Sequence, residues 1–377
     1  TEKPAYQAKL NAITPAAYSS VEGLELEPGT YISVIGKEED SAYWNQIRAG
    51  VEQAAADLNE ALGYSGSDQI KVLYNAPSGE EDMNEQVNIL DEELARYPDV
   101  IAIASIDEDA SEVQFDLAAG NDIPIVAFDS GNVYQGIQCT CKTDNSAATA
   151  EGVSKLCEAI GDSGEVSLIV HDSVSESARE REEAFKAALS AEHPEVTVAE
   201  TIYMDELDEI KKSAAAEQLG VSLEEIQAQQ AAETSDQGEE QTGEASAVME
   251  EINTAAEGMS DEEAVAYCMK KHPDLKGCFG TNVDATQLGV KALGSMEESD
   301  DVVLMGFDAG AAQLEALESG EIDGLVVQNP FGIGYAAVIA SARTVLEIGN
   351  EAQVNTGYIW VDQENLEEDA VQAMLYE

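Results

Sequence analysis

Short apolar runs rich in Val and Ile recur along the chain, and each is followed by a stretch with helical period. Nine runs are candidate strands, at 31–36, 70–75, 100–104, 123–128, 165–170, 196–203, 277–280, 302–306 and 324–328. Apolar strands that alternate with helices are typical of parallel sheets covered on both faces. One nine-stranded sheet is conceivable, but 377 residues build two smaller sheets more easily. The pattern therefore predicts an α/β fold with two doubly wound parallel sheets.

Helix-start signals follow several of these strands. Ser41 precedes a helical stretch at 42–62, Asp144 precedes another, and Ser177 with Glu180 has the spacing of a capping box. Each cap follows a strand and so lies at a carboxyl end. In open α/β sheets, ligands bind at that edge.

Two segments depart from the strand–helix rhythm. Residues 205–257 are rich in Ala, Glu and Gln and contain a second capping box at Ser222 and Glu225. They predict an acidic helical insertion with a mobile centre at 235–244, either a solvated spacer or an overhang of the ligand site. Residues 1–29 have no clear period and are expected to be an N-terminal tether.

The charge balance excludes two classes of partner. Lys and Arg number 18 against 76 Asp and Glu, a formal net charge of −58. Such a surface repels phosphate backbones and anionic lipid headgroups, so neither nucleic acid nor a membrane surface is an expected partner. The acidity itself is typical of an exposed or salt-adapted surface.

The cysteines and histidines predict no metal site. Cys139 and Cys141 lie two apart in a strand-like stretch, with no CxxC motif and no nearby histidine. Buried free thiols are the favoured interpretation of the five cysteines, with a disulfide or a zinc site as alternatives. The three histidines are scattered along the chain.

No catalytic or cofactor motif is convincing. The GDSGE sequence at 161–165 lies between a helix and a strand, where a turn is expected. The GIGYAA run from Gly332 lacks the acidic residue that would bind a ribose hydroxyl. The sequence therefore predicts neither an enzyme nor a cofactor.

Two of the five arginines, Arg179 and Arg181, lie in the run SESAREREEAF at 175–185. Arg181 is placed in the first turn of a helix that follows strand 165–170, facing the ligand edge. Its guanidinium has five donors that suit carboxylates or sugar hydroxyls. An ordinary surface pair with Glu180 or Glu182 is the alternative. Arg179 is turned away on the helical wheel and is expected to be a bystander.

Five motifs occur in one order along the chain: IPIVAFDSGN, SESAREREEAFKAAL, GCFGTNVDATQLGVKALG, VVLMGFDAG and GLVVQNPFGIGY. Together they resemble the periplasmic sugar-binding proteins of ABC importers, type I. The resemblance is closest to the ribose-, galactose- and xylose-binding group, which shares its fold with the ligand domain of lactose-repressor-like regulators. It covers about residues 30–205 and 258–377.

The resemblance implies two lobes with a ligand cleft and three hinge crossings. The crossings are expected near Thr143–Asp144, Gln328–Asn329 and Asn355–Gly357. Lobe I would then hold residues 30–143 and 329–356, and lobe II residues 144–328 and 357–377, with the insertion in lobe II.

The resemblance also implies a set of sugar-binding side chains at the cleft. Aromatic rings would sandwich the sugar, aspartates would accept its hydroxyls, and an arginine, an asparagine and a glutamine would complete the polar contacts. The matching residues are Tyr43, Trp44, Asp129, Arg181, Asn282, Asp308 and Gln328. For Tyr43 and Trp44, packing in the helix core is the alternative, since adjacent helical residues diverge by about 100°. Ser130 stands where ribose-type proteins have an arginine, which argues against ribose itself.

The implied function is that of an extracytoplasmic solute-binding protein. It would capture a monosaccharide or similar polyol by lobe closure and deliver it to an ABC permease in the membrane, as a monomer without metal or cofactor. It would be lipid-anchored at a bacterial surface or free in the periplasm. The alternative is a surface receptor that senses a sugar for a signalling or chemotaxis partner without transporting it.

Overall fold

Twelve strands and fourteen α-helices form the fold over residues 2–79, 81–236 and 243–376, the part of the chain that the computed structural model describes. The strands are β1 Tyr31–Ile35, β2 Lys71–Asn75, β3 Val100–Ile103, β4 Ile125–Phe128, β5 Ile137–Lys142, β6 Gly164–Val170, β7 Val196–Tyr203, β8 Leu275–Gly280, β9 Val303–Phe307, β10 Gly324–Gln328, β11 Gln353–Asn355 and β12 Tyr358–Val361. The helices are α1 Gln7–Asn11, α2 Ala42–Leu62, α3 Met83–Leu94, α4 Glu112–Gly120, α5 Asn145–Ala159, α6 Glu176–Glu192, α7 Leu207–Gln218, α8 Leu223–Asp236, α9 Glu244–Glu257, α10 Asp261–Lys270, α11 Val283–Gly294, α12 Ala311–Ser319, α13 Pro330–Val345 and α14 Asp369–Gln372.

The strands form two six-stranded sheets. The first has the order β11-β5-β4-β3-β1-β2, and all its neighbours are parallel. The second has the order β12-β10-β9-β8-β6-β7; β6 is parallel to β7 and β8, and β8 to β9, whereas β12 runs antiparallel to β10. The predicted α/β class with two doubly wound sheets is confirmed. The chain passes between the sheets three times, after β5, after β10 and after β11.

All nine candidate strands are present, and three others lie outside those nine, one of them the strand-like stretch of Cys139 and Cys141. In β5 the sequence IQCTCK alternates apolar and polar side chains, unlike the continuous apolar runs of its neighbours. The strand β11 has only three residues, which is too short for a periodic signal. The strand β12 is an antiparallel edge strand whose first three residues are only partly buried.

Contacts divide the chain into two compact units. The first comprises Thr1–Lys155, Val174–Ala188 and Phe307–Glu377, and the second comprises Leu156–Ser173 and Leu189–Gly306. These units are not the same division as the two lobes drawn from the sequence, whose boundaries stay a prediction.

The core of the first unit depends on close packing of α13 against α2. An added Cβ on Gly50 would lie 2.0 Å from the carbonyl oxygen of Phe331, and one on Gly334 would lie 2.0 Å from the carbonyl oxygen of Ile47. Only glycine allows two helix backbones to approach this closely. All of α13 from Pro330 to Ala342 is buried, which fixes the helix that follows β10.

The N-terminal segment differs from the expected tether. Tyr6 stacks on Phe331 with ring centroids 5.1 Å apart, and Tyr18 is 1% exposed. Thr14 and Asn355 exchange backbone hydrogen bonds of 2.8 and 3.0 Å. Apolar side chains at irregular spacing therefore anchor the segment to the first unit, and irregular spacing is why no period was visible in the sequence.

The second unit contains residues 205–257, the predicted acidic helical insertion. Helices α7, α8 and α9 lie in 205–257, and their apolar side chains form a small core that includes Ile226, Met249 and Ile252. Ser222 Oγ accepts a hydrogen bond from Glu225 N at the start of α8, as its capping box predicts. The centre expected to be mobile falls largely on 237–242, outside the described residues.

Other local expectations have mixed outcomes. Ser41 Oγ accepts from Trp44 N at 3.1 Å, as expected of an N-cap. The capping box at Ser177 is wrong: α6 begins at Glu176, and Ser175 Oγ accepts a hydrogen bond from Ala178 N at 3.2 Å.

All five cysteines are free and buried, as favoured from the sequence. Within the described part of the chain, no helix is both long and apolar enough to cross a bilayer.

We expect Gly50→Ala to lower the free energy of unfolding by about 2 kcal/mol or more, because the new methyl group must push α2 away from α13. Urea denaturation measures the change. Gly120→Ala is the matched control, since nothing lies within 4 Å of its added Cβ at the end of α4; it should change stability by less than about 0.5 kcal/mol. Equal effects of the two substitutions would contradict the close helix contact.

Candidate functional site

Two aspartates of the first unit, each directly after a strand, have the same unusual backbone conformation. Asp129 has φ 63° directly after β4, and Asp308 has φ 73° directly after β9. Aspartate tolerates this left-handed region better than most residues, because its short polar side chain bonds locally. Their amides donate to the carbonyl oxygens of Cys141 and Val326 at 2.8 and 2.7 Å. Both carboxylates are thereby held at carboxyl ends of strands, where the sequence predicts them.

Gln328, the last residue of β10, joins most of the predicted polar side chains. Its Nε2 donates to Asp308 Oδ2 at 2.7 Å, and its Oε1 accepts from Arg181 Nη2 at 2.9 Å. Thr143 Oγ1 also donates to Gln328 Oε1 at 2.7 Å. Gln328 is only 2% exposed, so these bonds replace the water that its amide would otherwise bind.

Arg181 lies in the second turn of α6 and not in its first, because the helix begins at Glu176. Its Nε donates to Asn145 Oδ1 at 2.9 Å, and its guanidinium carbon lies 4.3 Å from the centre of the Phe307 ring. At 3% exposure it is not the surface pair that the sequence left as an alternative. Its planar fork bridges two amide side chains while its face covers an aromatic ring.

The two adjacent aromatic residues of α2 have different environments. Tyr43 is part of the polar cluster: its hydroxyl donates to Asp129 Oδ1 at 2.5 Å and lies 3.3 Å from Gln328 Oε1. Trp44 is 4% exposed within the core, edge-on to Tyr43 and to Phe128 with centroid distances of 5.6 and 6.4 Å. Trp44 therefore packs in the core against the Tyr43 ring. This is the alternative in which one of the two aromatic rings belongs to the helix core.

Burial changes the acidity of this cluster. Burial raises the pKa of Asp308 to about 6, although the Arg181 charge and hydrogen bonds from Gln328 oppose the shift. The pKa of Tyr43 is raised well above its ordinary value, first by burial and then by the carboxylates of Asp129 and Asp308. Tyr43 is thus a hydrogen-bond donor at any physiological pH.

Asn282, the seventh predicted residue, belongs to the second unit. It follows β8, and its Oδ1 accepts from Ala285 N at 2.8 Å as the N-cap of α11. The other six predicted residues lie in the first unit, and five of them form the hydrogen-bonded cluster just described. That any of the seven binds a ligand stays a prediction.

Several residues of the cluster were missed by sequence reasoning. Asn145 directly follows Asp144, which the sequence marked only as a helix start, and Thr143 was noticed only as part of a chain crossing. Tyr376 gave no signal: it packs edge-on to Tyr43 with centroids 6.3 Å apart, and its hydroxyl accepts from Ala309 N at 3.3 Å. These side chains come from distant parts of the chain, so no local motif identifies them.

A second ionic group lies beside the cluster. Lys142 Nζ donates to Glu176 at 2.6 Å and to Glu180 at 2.8 Å. Burial lowers the pKa of Lys142, but the two carboxylates outweigh it, so that the net shift is upward. Glu180 also accepts from Asn145 Nδ2 at 3.1 Å, which links this group to Arg181.

Arg179 pairs with a glutamate outside its own helix. Its Nε and Nη2 donate to the two carboxylate oxygens of Glu108, both at 3.0 Å. Nearby, Glu108 N donates to Val174 O at 3.0 Å, Gly131 N to Glu176 Oε1 at 3.1 Å, and Ser177 N to Ser130 Oγ at 3.2 Å. Together these bonds tie the start of α6 to the loops after β3 and β4.

Comparison with protein families gives one match that covers most of the chain. The periplasmic binding protein domain matches residues 32–233 and 227–347. The chain belongs to the periplasmic binding protein domain family. This membership confirms the resemblance drawn from the five motifs. A search of curated proteins gives no match.

Solved structures of other periplasmic binding proteins share the fold. A carbohydrate transporter solute-binding protein from Agrobacterium radiobacter, in complex with D-arabinose, is 23% identical with a TM-score of 0.68, over 92% of this chain and 98% of its own. One from Agrobacterium vitis, bound with α-D-tagatopyranose, is 24% identical with a TM-score of 0.69, over 92% and 99%. A glucose-galactose binding protein from Geobacillus stearothermophilus is 19% identical with a TM-score of 0.67, over 90% and 99%.

The raised pKa of Asp308 predicts a pH dependence of stability. The folded chain holds the Asp308 proton up to about pH 6, whereas the ordinary value is 3.8. Ionisation of Asp308 therefore opposes folding. The stability that the bound proton contributes is fully present below the ordinary pKa of 3.8 and is lost as the pH rises through about 6. Asp308→Asn cannot ionise at this position and is the reference. The free energy of unfolding of the wild type, minus that of this variant, should fall by about 3 kcal/mol between about pH 4 and pH 7.

Urea denaturation across that pH range measures this difference. Asp122→Asn is the control, because it makes the same exchange at an exposed position that also has a positive φ, 56°. A difference between wild type and Asp308→Asn that stays flat with pH would refute the buried, proton-binding Asp308.

Proposed function

We propose that this periplasmic binding protein captures a monosaccharide or similar polyol outside the cytoplasm and delivers it to an ABC permease in the membrane. The observation that carries the proposal is the hydrogen-bonded cluster of half-buried Tyr43 and buried Asp129, Arg181, Asp308 and Gln328, which combines carboxylates, a guanidinium, an amide and a phenol. These are the groups that a neutral polyhydroxy ligand needs.

The chemistry of sugars suits this cluster. Sugar hydroxyls both donate and accept hydrogen bonds, so carboxylates can accept from them while a guanidinium and a phenol donate. Charge-assisted bonds contribute about 1.5–3 kcal/mol each, and three of them plus ring stacking reach the roughly −8 kcal/mol of micromolar affinity after ordering costs. The cluster supplies two carboxyl groups and a guanidinium for such bonds, from Asp129, Asp308 and Arg181.

Relatives of the same fold support the ligand class. They are described as bound to D-arabinose, D-fucose and tagatose, all neutral sugars. They are described as transporter solute-binding proteins and not as enzymes, and we propose likewise that this chain performs no chemistry on its ligand. Its proposed place is the periplasm or, through a lipid anchor, the outer face of the cell membrane, where a monomer would present the sugar to its permease.

The proposed mechanism is closure of two lobes, residues 30–143 with 329–356 and residues 144–328 with 357–377, over the ligand. In this division Glu108, Ser130 and Gly131 belong to lobe I, while Arg179, Glu176 and Ser177 belong to lobe II. The bonds among these residues support the closed arrangement. A ligand that contacts both lobes stabilises the closed state by its differential affinity, and the permease would bind that state.

A thermal-shift screen over pentoses, hexoses, deoxy sugars and polyols tests ligand capture, because a bound ligand raises the melting temperature by mass action. For the sugar found, we expect Asp129→Asn to weaken binding at least about tenfold, which is about 1.4 kcal/mol, as measured by calorimetry. Asparagine keeps the left-handed backbone but not the charge. Asp122→Asn should bind normally. No shift with any sugar or polyol, or normal binding by Asp129→Asn, would count against the proposal.

The Glu108–Arg179 pair offers a test of closure. Glu108→Gln removes a partly exposed ion pair without touching the proposed sugar site, so affinity should fall by only about two- to fivefold, through faster dissociation. Stopped-flow fluorescence measures the rate. Glu183→Gln is the control, because Glu183 contacts Arg179 at 3.5 Å within the same helix. Equal dissociation rates for the two variants would rule out this pair as a closure contact.

A further inference from the structure

Three metal-ligating side chains meet at the amino-terminal edge of the second unit's strands. One ligand atom from each of Cys157, Asp162 and His193 lies within 4.8 Å of the other two. His193 Nδ1 is 2.6 Å from Asp162 Oδ1. Cys157 is buried, His193 is partly buried, and Asp162 is exposed, so the group opens to solvent on the Asp162 side.

Backbone hydrogen bonds hold all three residues in place. Asp162 N donates to the carbonyl oxygen of Cys157 at 2.7 Å, across the turn that ends α5. The φ of Asp162 is 61°, which turns its side chain back towards that helix. His193 N donates to Leu189 O at 2.9 Å at the end of α6. A backbone hydrogen bond of 3.0 Å from Gly164 N to Glu195 O joins the segment after α5 to the segment after α6.

We propose that Cys157, Asp162 and His193 form a binding site for Zn²⁺, with water as the fourth ligand. A thiolate, an imidazole and a carboxylate are the three ligand types that zinc accepts together. Zinc bond lengths of 2.0–2.3 Å place tetrahedral ligand atoms about 3.3–3.6 Å apart, inside the 4.8 Å limit of the group, and binding would replace the 2.6 Å hydrogen bond between His193 and Asp162 by this wider separation. Mg²⁺ and Ca²⁺ prefer all-oxygen ligands, so the thiol selects against them.

The site is separate from the proposed sugar site. Asn282 follows the carboxyl end of β8, whereas Asp162 and His193 precede the amino ends of β6 and β7. Parallel strands place these ends at opposite edges of a sheet. The sequence did not reveal the cluster, because His193 lies 31 residues from Asp162 and no zinc motif has that spacing.

Isothermal calorimetry with ZnCl₂ on chelator-treated protein tests the site. Excess Mg²⁺ is included to occupy the many surface carboxylates, which it does without binding a thiolate. Wild type should bind one Zn²⁺ per chain. Cys157→Ser, Asp162→Asn and His193→Gln should each weaken zinc binding about tenfold or more. Replacing Zn²⁺ with Co²⁺ should give a thiolate charge-transfer absorption that Cys157→Ser alone abolishes completely.

His272→Gln and Cys268→Ser are the matched controls. His272 Nε2 pairs with Glu200 at 3.2 Å, and Cys268 is another buried free thiol, but neither belongs to the group of three close ligand atoms. Both should bind zinc as wild type does. His193→Gln and Asp162→Asn change side chains near solvent, and circular dichroism checks their folding. Absence of the one-to-one zinc binding, or equal zinc affinity in wild type and in folded His193→Gln and Asp162→Asn, would overturn the proposal.

Discussion

Burial of the Arg181 guanidinium is the constraint on which the polar interior of the first unit depends. A buried cation is stable only when hydrogen-bond acceptors and negative charge surround it. Asn145 and Gln328 supply acceptors, Phe307 supplies an aromatic face, and the carboxylate of Asp308 supplies charge through Gln328. If one partner moved, the others would lose hydrogen bonds. The side chains of the cluster therefore keep their positions together.

The scarcity of basic residues makes their positions informative. The chain has only 18 lysines and arginines against 76 acidic residues, yet Arg181 and Lys142 are both buried. Cations that could reduce surface repulsion are instead enclosed beside carboxylates. This placement favours a role in holding specific anionic or hydroxyl groups over a general role in solubility.

Sequence reasoning succeeded where one element carries its own signal. The strands β1, β3 and β4 are continuous apolar runs because helices cover both faces, and the run shows in the sequence. It failed where partners come from far apart: Thr143 lies 185 residues from Gln328, and Tyr376 gave no motif at all. The buried environment of Arg181 was likewise invisible, because a charged residue in an acidic helix has the pattern of a solvated one. Its position after a strand pointed to the ligand edge, and the family resemblance implied that it binds sugar.

The glycine contact between α2 and α13 has a mechanical consequence. Tyr43 is the second residue of α2, and α13 begins two residues after Gln328, so the helix pair carries a residue of the cluster at or near the start of each member. Backbones that touch cannot slide past one another without a clash. The two helices therefore form one rigid pair, so any displacement of α13 is passed on to Tyr43 at the start of α2.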